Sequence, residues 1–185
     1  MTFNKQLLSM LIGGALATAA SAQTVRIANQ GDALSLDPHS LNESLQLSVD
    51  SNAYEALVGW NKKLEMVPML ATSWKQSSPT VWRFELRKGV QFHDGTPFTA
   101  DDVLFTLGRI MADGSDMKSY GTDIKESRKI DSHTVEIETK APQPILPQIL
   151  SQVYIMSQKW CEANNAVKPV DRRKGVENVA SFKTN

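Results

Sequence analysis

Residues 81–110, VWRFELRKGVQFHDGTPFTADDVLFTLGRI, constrain the fold more than any other stretch of this chain. Trp82, Phe84 and Leu86 alternate with Arg83, Glu85 and Arg87, the period of a strand with one face buried and one face in water. Lys88-Gly89 turns the chain, Val90, Gln91 and Phe92 continue it in extended form, and Asp94-Gly95 is a second turn pair. Thr99 then stands where a helix N-cap belongs. Asp102 follows three residues later as in a capping box, and Phe98 and Val103 have the spacing of a hydrophobic staple. Asp101 and Asp102 lie in the first turn, where the helix dipole favours negative charge. The spacing predicts a helix over about residues 100–112 whose buried stripe is Val103, Leu107, Ile110 and Met111. A half-buried strand followed at once by an amphipathic helix requires a sheet with a helix laid on one face.

The flanking segments add elements of both kinds. Residues 24–28 read as a short strand, and 29–38 carry turn chemistry. A helix is expected over residues 42–58, with Asn42 as its cap and Leu45, Val49, Ala53, Ala56 and Leu57 on one side. Gly59 is expected to end it at the left-handed position. Residues 134–139 read as a strand, 145–150 as a short helix after the Ala141-Pro142-Gln143-Pro144 run, and 153–156 as one more strand. Helices and strands mix without a strand-helix-strand rhythm, which points to α+β.

The first residues belong to targeting, not to the fold. Lys5 supplies positive charge, residues 7–20 are uncharged and mostly apolar, and Ala20-Ser21-Ala22 has the small-x-small form of a cleavage site. Residues 1–22 are therefore read as a cleaved signal peptide of an exported, soluble protein. The apolar run is too short for a spanning helix and contains Gly13 and Gly14. No cysteine follows the cleavage site to take a lipid. Cys161 is the only cysteine, so no internal disulfide forms. The 20 basic residues balance the 20 acidic ones, which leaves no electrostatic footprint for nucleic acid or an anionic membrane. Lys168, Arg172, Arg173 and Lys174 form the one basic cluster and read as a solvated loop.

The residues that invite a catalytic reading have structural explanations. Asp101 and Asp102 are accounted for by the helix start. His93 and Asp94 are adjacent at a strand end and point to opposite faces, so they do not form a dyad. His39, His93 and His133 lack metal-ligand spacing, and there is no Gly-x-Ser-x-Gly, His-x-x-x-His, Cys-x-x-Cys or phosphate-binding glycine pattern. No catalytic residue, metal or cofactor is expected. Two other classes stay open on the residues alone: a secreted hydrolase using His93 and a serine, and a periplasmic scaffold protein without a transport role.

Read together, ATSW at residues 71–74, the 82–110 stretch, SLDPH at 35–39, YEALVG at 54–59 and TVEIETKAPQP at 134–144 closely resemble the dipeptide/oligopeptide/nickel solute-binding proteins of ABC importers, extracellular solute-binding protein family 5. The one departure, Ser78-Pro79-Thr80, affects a loop. The resemblance implies the α+β portion of a two-lobed α/β periplasmic binding protein (type II-like) that closes on a solute by hinge motion. It divides the chain into an incomplete first lobe at residues 23–40, an extra subdomain at 41–156, and a connecting segment at 157–185 that stops before the return to lobe one. The chain is thus expected to be truncated and to bind poorly alone. The implied partners are a small solute, chiefly peptide, and an inner-membrane ABC permease, with the protein a periplasmic monomer. Strand-end loops line such clefts, so Asp32, Ala33, Leu34, Ser35 and Leu36 are the expected ligand-contacting residues.

Overall fold

The computed structural model of the chain describes residues 28–29 and 31–184. The expected signal peptide and nearly all of the expected strand at 24–28 lie outside the described residues. Gly31–Asn185 is one compact unit. Its centre is a four-stranded antiparallel sheet of order β3-β4-β6-β5, built from β3 (Ala71–Ser78), β4 (Val81–Leu86), β5 (Ile124–Asp131) and β6 (Thr134–Thr139). A two-stranded ribbon, β1 (Val58–Trp60) with β2 (Met66–Pro68), precedes it. The helices are α1 (Ser44–Asp50), α2 (Ala100–Met111), α3 (Leu146–Leu150) and α4 (Gln158–Ala163).

β4 behaves as its alternation requires. Phe84 and Leu86 are buried, Glu85 is exposed, and Trp82 is half-buried with its indole N–H donating to the Gln143 carbonyl at 2.9 Å. Across the ladder Phe84 faces Val135 and Trp82 faces Ile137. Val103, Leu107 and Ile110 of α2 join Phe84, Val135 and Ile137 in the main core. Each such fully buried side chain contributes roughly 1.5–3 kcal/mol relative to exposure.

The start of α2 is built as its sequence dictates. Thr99 caps it, and the Asp102 carboxylate accepts from the Thr99 backbone N–H at 2.9 Å, closing the capping box. Phe98 and Val103, the staple pair, are both buried in the core. The other Asp102 oxygen accepts from the Gln158 N–H at 2.9 Å, which ties the start of α2 to the start of α4. Met111 departs from the expected stripe. It is 42% exposed, whereas Thr106 and Arg109, on the opposite flank of the stripe, are buried.

Four other expectations are corrected. The helix expected over 42–58 ends at Asp50. Ser51 Oγ and Asn52 Nδ2 both donate to the Ser48 carbonyl, so polar side chains take the acceptor that a further turn would need. Asn42 is not the cap: Glu43 precedes the helix without a side-chain bond, and Asn42 Oδ1 instead accepts from the Tyr120 hydroxyl. Gly59 is not a left-handed helix terminator but a residue of β1, opposite Val67. A Cβ there would overlap the Met69 thioether, so the glycine makes room for that side chain. Residues 153–156 are extended and largely buried but form no ladder. Ile155 N–H donates to Glu55 O, and Met156 N–H to Thr106 Oγ1.

Candidate ligand-binding site

The SLDPH segment leads from the surface into the interior. Asp32 and Leu34 are exposed, Ala33 and Leu36 are half-buried, and Ser35, Asp37, His39 and Ser40 are buried. Asp37 and Arg109 carry no exposed side-chain area and pair through both carboxylate oxygens: Nη1 donates to Oδ1 at 2.7 Å and Nη2 to Oδ2 at 2.6 Å. Arg109 Nε donates to the Ala166 carbonyl at 3.2 Å. Nη1 also lies 2.7 Å from His39 Nδ1. His39 Nε2 is 2.9 Å from the Tyr154 carbonyl, which only accepts, so Nε2 carries the proton and Nδ1 accepts from Arg109.

Electrostatics follow from that geometry. Burial, then the Arg109 charge, pushes the His39 pKa down to about 3, so the ring is neutral. Burial alone would raise the Asp37 carboxyl, but the Arg109 hydrogen bonds and charge outweigh it and hold it below its ordinary value. Burial pushes the nearby Cys161 thiol up to about 12, which leaves it an inert core group.

The loop ahead of this cluster is held by side chains from elsewhere. Leu34 and Ser35 N–H both donate to Gln46 Oε1, at 3.2 and 3.3 Å. Gln46 Nε2 donates back to the Ser35 carbonyl and, at 2.9 Å, to Asp50 Oδ2. Leu36 N–H donates to the Ser181 carbonyl at 3.0 Å, and its own carbonyl accepts from the Tyr54 hydroxyl at 2.9 Å. Arg172 Nε reaches the Leu34 carbonyl at 3.1 Å. Within the expected set Asp32, Ala33, Leu34, Ser35 and Leu36, the backbone of the last three is thereby engaged internally. The groups left facing outward are the Asp32 carboxylate, which also accepts from Ala33 N–H at 2.8 Å, and the Leu34 side chain at 58% exposure. Sequence reasoning missed Arg109, Gln46 and Asp50 as the supports of this loop. The one available signal was an arginine placed among the buried positions of an amphipathic helix.

His93 and Asp94 occupy an exposed turn. Asp94 Oδ1 accepts from Thr96 N–H at 2.9 Å and from Thr96 Oγ1 at 2.6 Å, and these bonds hold its carboxyl below the usual range. His93 lines an open pocket of about 180 Å³ with Tyr54, Phe92, Phe98 and Ile155, and no serine or cysteine contributes to its wall. Among the described residues no group of three or more His, Cys, Asp or Glu side chains is placed to hold a metal ion. The basic cluster is ion-paired: Arg172 with Glu177, Arg173 with Asp116, and Lys174 with Asp171. No helix among the described residues is long and apolar enough to cross a membrane.

Comparison with known proteins agrees with this architecture. The family model "Bacterial extracellular solute-binding proteins, family 5 Middle" matches residues 65–179. The periplasmic oligopeptide-binding protein OppA of Escherichia coli K12 is 26% identical over 180 residues, covering 81% of this chain and 33% of OppA. The glutathione-binding protein GsiB of the same strain is 31% identical over 136 residues, covering 72% of this chain and 27% of GsiB. In structure, the periplasmic binding protein DppA of Helicobacter pylori in complex with the peptide STSA superposes with a TM-score of 0.62 at 26% identity. That superposition covers 74% of this chain and 32% of DppA. The chain thus spans about a third or less of the length of these relatives, all of them binding proteins. Neither a hydrolase nor a scaffold without transport finds support among them. With the match extending over all four strands of the central sheet and helices α2, α3 and α4, the chain belongs to the bacterial extracellular solute-binding proteins, family 5.

Proposed function

We propose that this chain supplies part of the solute-binding component of an ABC importer, a periplasmic protein that captures a peptide or related small solute and delivers it to a membrane permease. The division into a first-lobe segment at 23–40, a subdomain at 41–156 and a connecting segment at 157–185 belongs to this proposal, as do export by a cleaved leader and a monomeric state. The supporting observation is the frame around SLDPH. A buried, bidentate ion pair and a fully bonded glutamine fix residues 34–37 while leaving Asp32 and Leu34 outward. A receptor that must recognise a ligand without changing it covalently needs such a rigid support for its contact loop. The Asp32 carboxylate suits a cationic group, such as a peptide amino terminus, and Leu34 offers an apolar contact.

The test is a chimera in which residues 31–184 replace the aligned segment of E. coli OppA. The expected result is a folded protein that binds peptide by calorimetry and leaves it uncleaved. A folded chimera that binds no peptide, or that hydrolyses it in a manner lost with His93→Ala, overturns the proposal.

A further inference from the structure

Gln46 and Asp50 stand four residues apart on α1, so the Asp50 carboxylate meets the Gln46 amide that bonds the 34–36 segment. They are 2% and 1% exposed. The Gln46 amide is saturated: its oxygen accepts from two backbone N–H groups, and its nitrogen donates to the Ser35 carbonyl and to Asp50 Oδ2. Turned the other way, the amide would set its oxygen against the Asp50 carboxylate and the Ser35 carbonyl, and its NH₂ against two N–H donors. Asp50 therefore selects the orientation that holds the loop. Its other oxygen, Oδ1, is buried and accepts no hydrogen bond from any described residue.

We propose that Gln46 is the positioning residue of the 34–36 segment and that the protonation state of Asp50 sets how firmly it holds. A buried carboxylate with one orphan oxygen is costly, and a proton on that oxygen removes the charge while Oδ2 continues to accept from Gln46. Burial, opposed by the Gln46 bond and reinforced by the Asp37 carboxylate, raises the Asp50 pKa to about 6. The ionisable groups around it keep their charge between pH 5 and 8. Asp37 is ionised and paired with Arg109, His39 is neutral, and the Tyr54 and Tyr154 phenols are raised by burial. Asp50 is the member of this cluster that titrates there: the Gln46 bond itself favours the ionised form, but the cost of burying the charge is larger, so the segment opens to water more readily when Asp50 is ionised. The inference rests on the reading of residues 32–36 as the ligand segment only for its functional meaning, because its test needs no ligand.

The experiment is amide hydrogen exchange by NMR on the 185-residue chain at pH 7.5 and pH 5.0, corrected for the intrinsic pH dependence of exchange. Protection of the Leu34 and Ser35 amides is expected to rise about tenfold at pH 5.0. In Asp50→Asn it is expected to be flat, with Phe84 and Val135 as controls in both proteins. A change of less than twofold in the wild type, or the same change in Asp50→Asn, overturns the proposal. Should the variant not fold, the carboxyl carbon signal of Asp50 in the wild type decides. A midpoint near 6, shared by the Leu34 and Ser35 amide shifts, supports the proposal, and a midpoint near 4 refutes it.

Discussion

Replacing Arg109 with methionine removes the cation from a fully buried pair and leaves the Asp37 carboxylate with only the His39 backbone N–H of its three N–H donors. The expected loss is about 3–5 kcal/mol in urea unfolding, and a loss below about 1 kcal/mol would show that the pair does not anchor SLDPH. Two neighbouring groups act oppositely on pH-dependent stability. Asp50, raised to about 6, binds its proton more tightly folded than unfolded, so its contribution is present at low pH and fades as pH rises towards 6. His39, lowered to about 3, costs stability as pH falls below the ordinary histidine value, because only the unfolded ring takes a proton readily. The two slopes oppose each other between about pH 4 and 6. The stability of Asp50→Asn relative to wild type is therefore expected to grow by at most about 3 kcal/mol from pH 4 to pH 7, read from unfolding midpoints. A difference that stays constant with pH would contradict the assignment. The cluster was not legible in the sequence, where Asp37 lies in a stretch of turn chemistry, His39 lacks metal-ligand spacing and Arg109 falls outside the expected stripe of Val103, Leu107, Ile110 and Met111. The partners lie about 70 residues apart, and only the tertiary fold shows that Arg109 points inward.

At the scale of elements, what the sequence revealed depends on how strongly each element carries its own pattern. β4, α2 and β6 were legible because each has a clear period or a capping signature, and their observed bounds lie within a residue of those expected. β3 and β5 were not, because both are edge strands of the sheet and are mostly exposed. Their polar and charged composition hides the alternation while guarding the edges from pairing with another chain. Lys125 and Arg128 of β5 both reach Glu138 on β6, contacts that specify register across strands rather than a pattern along one. Asp102 serves two elements, the α2 start and the α4 start, so Asp102→Ala is expected to cost more than Thr99→Ala. The expected costs are about 2–3 kcal/mol against about 1 kcal/mol in denaturant unfolding. Equal costs would mean that the bond to Gln158 contributes nothing.

For the whole molecule, the chain spans about a third of its binding-protein relatives, and under the proposed function it supplies one wall of a site that works by enclosure. The 185-residue chain alone is expected to bind peptide no tighter than millimolar by calorimetry, and micromolar affinity would contradict the enclosure argument. Family membership was legible in the sequence because motifs such as SLDPH and the 82–110 stretch keep their order along the chain. The 32–36 segment was legible only as a loop, since its supports, Gln46, Tyr54 and Arg172, come from three separate segments. Under the proposed function, a rigid buried frame presents residues 32–36 to a solute. Hydrogen exchange at Ala33 and Leu34 in the OppA chimera, with and without saturating peptide, tests it most directly. The account expects protection at these amides to increase on binding while Phe84 stays unchanged, and peptide binding that leaves Ala33 and Leu34 exchange unaltered would contradict it.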